Sequence, residues 1–139
     1  MKKNSIQKAE EYLQNAKDIL NSIPVEDVLE DGSYLQYTDV KSIKKAGRTA
    51  WKGCAIAMDY TLEIPLSTYN YYDFDKTVKE ISWEVCSLFD STWNLLNGSL
   101  GFDGIQSKPI CDTAIDSAEE LIRWCKNRKS IVEPHQKEE

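Results

Sequence analysis

Apolar residues recur along this chain at helical spacing, in segments punctuated by proline. From Ser5 to Ile23, residues Ile6, Ala9, Leu13, Ala16, Leu20 and Ile23 lie alternately three and four positions apart, with polar Lys8, Glu11, Asn15, Lys17 and Asp18 between them. That seam predicts an amphipathic helix packed lengthwise on a neighbour. Asn4, with Gln7 three residues on, predicts a capping box at its start. An acidic connection over residues 24–35 ends in the turn sequence Glu30-Asp31-Gly32-Ser33. Over 36–63, Ile43, Ala46, Gly47, Ala50, Cys54, Ala57 and Met58 share one side at about 100° per residue. These are mostly small side chains, so the predicted second helix can approach a neighbour closely. Glycine in mid-helix costs about 1 kcal/mol relative to alanine, and a tight crossing at Gly47 accounts for it.

A third helix is predicted over 75–96, with Val78, Ile81, Val85, Leu88, Phe89 and Leu96 on one face and Trp93 beside them. Asn97-Gly98 is the expected stop, because glycine enters the left-handed conformation freely. The glycine-bearing loop 98–104 lacks the Lys-Ser/Thr of a phosphate loop and no strand flanks it. The fourth helix starts near Ser107-Lys108-Pro109 and turns Ile110, Ala114, Ala118, Leu121 and Cys125 inward. Asp112 in its first turn and Lys126 and Arg128 in its last suit the helix dipole. Pro24, Pro65 and Pro109 fall at or near segment ends, as a residue that cannot donate within a helix requires. Period-two alternation is scarce. The expected fold is all-α, an antiparallel up-down four-helix bundle, forming one domain over 1–130. A charged, frayed tail is expected over 131–139.

A length of 139 residues suits a single core. Lys+Arg 17 against Asp+Glu 23 gives a net charge of -6, which excludes a generally basic nucleic-acid coat. No apolar run approaches the roughly 18 residues a membrane span needs. The N-terminal segment carries Glu10 and Glu11 where a secretory signal would be apolar. Cys54, Cys86, Cys111 and Cys125 form no CxxC pair and the chain holds one histidine, so a zinc site is not expected. Buried, reduced thiols fit a cytoplasmic protein, and no cofactor is expected.

The stretches Tyr12–Leu20 (YLQNAKDIL) and Val40–Gly53 (VKSIKKAGRTAWKG) resemble the first two helices of HEPN-like bacterial domains. The likeness extends to small uncharacterised all-helical proteins of that shape. The resemblance covers about half the chain and implies a helical bundle, commonly dimeric. In active members it implies a ribonuclease carrying an arginine and a histidine with four to six residues between them, at the dimer interface. Arg128 and His135 match that spacing nominally, although Pro134 adjoins the histidine. Members without the pair serve as binding domains.

Several surface features compete as sites. Lys41, Lys44, Lys45, Arg48 and Lys52 share an arc of about 100° opposite the apolar side of the second helix, a contact stripe for an acidic protein surface or for phosphate. Net acidity favours the protein. Asp112, Asp116 and Glu119, with Glu80 and Glu84 on the third helix, could hold Mg²⁺ for a phosphohydrolase, but they read better as solvent-facing carboxylates. A di-iron bundle would need Glu-x-x-His pairs, and the four helices carry no histidine. The segment 66–74 contains Tyr69, Tyr71, Tyr72 and Phe74, either a partner contact or a loop folded onto the bundle end. Trp51, Trp83, Trp93 and Trp124 suit the core or helix–helix interfaces. The expected function is a non-catalytic interaction module, self-associating as a homodimer and binding an acidic protein partner. The alternative is a HEPN-like ribonuclease or toxin–antitoxin component.

Overall fold

The computed structural model describes residues 4–63, 76 and 78–138, with side chains as far as Arg128. Helix α1 spans Ser5–Asn21; Asn4 and Gln7 exchange backbone-to-side-chain hydrogen bonds at its start, the expected capping box. All six seam residues are buried. Helix α2 spans Val40–Leu62 behind the N-cap Asp39. Helix α3 spans Trp83–Trp93 and passes directly into a π-helix, Asn94–Phe102. Helix α4 spans Lys108–Glu138.

Cross-helix contacts fix the directions. Glu10 pairs with Lys126 and Lys17 with Glu119, so α1 and α4 run antiparallel. Cys54 meets Ala118 and Met58 meets Cys125, so α2 and α4 run parallel. Trp51 packs against Phe89 and Trp93 while Gly47 faces Leu96, so α3 opposes α2. This is the up-down-up-down bundle. Helix α2 is its centre, touching α1, the π-helix and α4, and its small residues allow that. A Cβ on Gly53 would lie 2.8 Å from the Ala9 carbonyl oxygen, and one on Gly47 would lie 2.6 Å from Leu100 Cβ. The tight crossing expected at Gly47 is present, with the π-helix as its neighbour.

Four features depart from the sequence expectation. Residues 36–39 are not helical: Leu35–Tyr37 (β2) pairs antiparallel with Val25–Asp27 (β1), placing Val25 opposite Tyr37. Asp39, accepting from the Ser42 N–H, starts α2 only after that strand. The third helix is broken at Ser82, whose extended backbone (φ -167°) and side chain, accepting from Val85 N–H, restart the helix after the helical residues 78–81. Asn97-Gly98 does not stop it either. The Asp103 N–H donates to the Gly98 carbonyl, a wider turn, and the chain leaves only at Gly104 (φ 61°). Lastly, α4 is helical through Glu138, past residue 130; lysine, glutamate and glutamine in that stretch favour helix, and Pro134 opposes it most.

Burial shifts slightly within the expected faces. Cys111, Ile115 and Ile122 are buried on α4 where Ile110 is only half-buried. Trp51, Trp93 and Trp124 are half-buried at helix interfaces, but Trp83 is 77% exposed because the break at Ser82 turns it outward.

Candidate functional site

The basic stripe lies on the outer side of α2 as its spacing requires. Lys41, Lys45, Arg48 and Lys52 are exposed and Lys44 is half-buried. None of the five makes a salt bridge among the described residues. Two lean on local structure instead: the Lys52 ammonium lies 5.1 Å from the centre of the Tyr12 ring, a cation–π contact, and the Arg48 guanidinium comes within 3.5 Å of the Gly101 carbonyl oxygen. The Lys44 stem passes close to Gly104. Arg48 and Lys44 therefore border the end of the π-helix from both sides.

Between them stands a residue that the periodicity did not single out. Phe102 is 80% exposed, the most exposed large apolar side chain among the described residues. Val40, against Gly104, is also exposed. A π-helix is rare and often marks a functional position; here its wide turn brings the Gly101 amide onto Gly47 and leaves the next side chain in solvent. The only signal in the sequence was the glycine spacing of 98–104, read as a helix stop. The surface that results carries an exposed aromatic ring next in sequence to the glycine that Arg48 reaches, with the exposed Asp103 following it.

The acidic residues of α4 line a groove against α1, with depressions of about 250 and 420 Å³ that share Lys17 and Glu119. Glu119 pairs with Lys17 at 3.4 Å and Arg123 at 3.7 Å, and Asp112 pairs with Lys108 at 3.0 Å. Glu80 and Glu84 are exposed elsewhere, and the described residues hold no cluster of three metal-ligating groups. Glu119 and Asp112 are thus charge-balanced where they stand.

All four cysteines are free and buried. Burial pushes the Cys54 thiol well above its ordinary range, Cys111 up to about 11 and Cys125 up to about 12. Such thiols stay protonated and do not act as nucleophiles near neutral pH. The Arg128 guanidinium sits over Trp124, 5.4 Å from the ring centre. Arg128 and His135 lie on one helix two turns apart, roughly 10 Å along its axis; the His135 side chain is outside the described residues. So are Tyr69, Tyr71 and Tyr72.

Residues 4–127 match a family described as a domain of unknown function, DUF5618. The chain belongs to that family. A solved structure of a protein of unknown function from Dyadobacter fermentans superposes on this DUF5618 chain with a TM-score of 0.77 at 26% identity, covering 89% of this chain and 94% of that one. No curated protein matches. The family and its structural relative support a helical DUF5618 fold, and neither carries an assigned activity. Among the described residues no helix is long and apolar enough to cross a membrane.

Proposed function

We propose that this DUF5618 protein is a non-catalytic, HEPN-like helical-bundle interaction module of the cytoplasm, which self-associates and takes an acidic protein surface on the outer side of α2. The HEPN-like likeness rests on the residue patterns at Tyr12–Leu20 and Val40–Gly53. One observation carries the binding reading: Phe102 is 80% exposed on a turn whose Gly101 carbonyl meets Arg48 and whose Gly104 meets Lys44, two cations of the α2 stripe that form no salt bridge among the described residues. Exposing an aromatic ring costs solvation free energy that burial in a partner recovers, on the order of 2 kcal/mol for a full side chain. Cations around it add on-rate and selectivity for acidic surfaces more than raw affinity. An acidic protein carrying an apolar side chain to cover the ring fits this chemistry. A nucleic acid fits it less well, because the chain as a whole is negative.

The test is co-purification from the native host with wild type and with a Lys41→Glu, Lys45→Glu, Phe102→Ser variant. A specific protein retained by wild type and lost by the folded variant is the expected result. Identical retention by both overturns the assignment of this surface. A robust RNA cleavage lost on His135→Ala would overturn the non-catalytic reading.

A further inference from the structure

The β1–β2 hairpin is packed at its base, where Tyr37 is buried, and exposed at its tip. Every residue from Val28 to Tyr34 is exposed, including Val28 at 45%, Leu29 at 60% and Tyr34 at 44%. Three large apolar side chains at the tip of one protruding hairpin do nothing for this chain's own core. They are interleaved with acids: Glu26 and Glu30 are exposed and enter no ion pair among the described residues.

The tip is also braced. The Gly32 N–H donates to Asp27 at 2.6 Å and the Ser33 N–H to Asp31 at 2.9 Å, while Glu30 and Gly32 hold left-handed backbone at φ 60° and 79°. The base is tied down where the Tyr37 N–H donates to the Gln106 carbonyl at 2.8 Å and Thr38 N–H to the Pro24 carbonyl at 3.1 Å. A shaped arm of this kind loses little conformational freedom on docking.

The molecule thus carries two uncompensated surfaces of opposite sign, each with its own apolar centre: the acidic hairpin tip around Leu29, and the basic stripe around Phe102. We infer that the acidic partner of the α2 stripe is the hairpin tip of a second copy of this chain, the two copies exchanging hairpins reciprocally across a two-fold axis. The inference rests on the reading of the α2 stripe given above and names its partner. Reciprocity follows from symmetry, because in a two-fold dimer each copy offers both surfaces and both contacts form at once. Pairing of hairpin with hairpin along the open edge of β1 would instead set Glu26 against Glu26 of the other copy, and like charges directly opposite destabilise a ladder.

Each copy carries a net charge of -6, so general repulsion opposes association and salt alone does not isolate the local attraction. Charge exchange does. One variant reverses the stripe (Lys41→Glu, Lys45→Glu); the other reverses the hairpin (Glu26→Lys, Glu30→Lys), sparing Asp27 and Asp31, which hold the turn. Sedimentation at roughly 100 µM, above a micromolar Kd, is expected to give a dimer for wild type. Each variant alone is expected to dimerise about 10- to 100-fold more weakly, with its helical circular dichroism intact. Mixing the two variants is expected to restore the dimer, since each then meets an opposite charge at both contacts. A wild-type species of 15.9 kDa, or a dimer that neither reversal weakens, or a mixture that stays monomeric, overturns the inference. Loss of a co-purified protein from the stripe variant while wild type sediments as a monomer would overturn this inference and the self-association, and leave the acidic-partner reading of the α2 stripe standing.

Discussion

At the scale of single residues, two glycines in one stretch of bundle make opposite demands. A Cβ on Gly47 would meet Leu100 Cβ at 2.6 Å, the Leu96 carbonyl oxygen at 2.7 Å and the Gly101 nitrogen at 2.9 Å. Two of those atoms are backbone and cannot rotate away. Gly47→Ala gains about 1 kcal/mol of helix propensity yet faces overpacking of about 1–3 kcal/mol, so chemical denaturation is expected to show net loss. Gly98 has nothing within 4 Å of its Cβ position, and Gly98→Ala is expected to stabilise by about 0.5 kcal/mol. A lower midpoint for Gly98→Ala than for Gly47→Ala would contradict this packing. The thiols give a pH dependence of definite sign. Burial holds Cys111 at about 11 and Cys125 at about 12, against an ordinary value of 9.0. The folded state therefore keeps its protons longer than the unfolded state. Stability is intact below about pH 8.5 and falls as pH rises through 9 toward 11–12. Thermal unfolding at stepped alkaline pH is expected to show that decline, and Cys111→Ala to make it shallower. These residue roles were partly legible: the apolar spacing found Cys54, Cys125 and the tight Gly47, while Cys86 and Cys111 were expected buried only as a residue type, and nothing in the sequence said which backbone would press on that glycine.

At the scale of elements, the helices were legible and their ends only where a side chain itself forms the cap. Asn4 and Gln7 reveal the start of α1 because both halves of the capping box are side-chain chemistry. Ser82 was missed because the apolar face of the third segment continues across it; periodicity tests which side a residue faces and is blind to one extended residue between two helical turns. The π-helix was missed for a related reason, since glycine at 98 and 101 serves a helix stop and a wide turn equally well. The β1–β2 hairpin was hidden by its polarity: three-residue strands bearing Glu26 and Asp27 give no alternation to read. Asp39 ties one of these ends to pH. Its carboxylate accepts from the Ser42 hydroxyl and backbone N–H, with Lys41 nearby, and these hold its pKa below the ordinary carboxylate range. A depressed pKa means the stabilisation is present above about pH 4 and is lost as pH falls below it. Amide protection across 42–43, taken relative to the intrinsic exchange rate at each pH, is expected to fall below about pH 4 in wild type and to stay constant in Asp39→Asn, whose cap does not titrate.

At the scale of the whole molecule, the core and the surface obey different logics, and only the first is written in hydrophobic spacing. The bundle follows from four apolar faces that must shield one another. The binding surfaces follow from where the chain is left uncovered, which depends on the hairpin and the π-helix together and so could not be read from any one segment. The stripe of α2 was legible as a charge pattern; the Phe102 that gives it an apolar centre was not. This division makes the hairpin a sharp test, because one element belongs to both parts. At its base Tyr37 is 3% exposed and belongs to the core cluster, its backbone bound to Gln106 on the far side of the chain. Tyr37→Ala removes a buried ring and is expected to cost about 3 kcal/mol. At its tip Val28 and Leu29 bury little, so Val28→Ser with Leu29→Ser is expected to change stability by less than about 0.5 kcal/mol. Both are measured by denaturation at submicromolar protein, where self-association contributes nothing to the midpoint. A large loss from the tip variant under those conditions would mean that the exposed leucine and valine serve this chain's own fold, leaving no reason for an acidic, apolar arm to be held out in solvent.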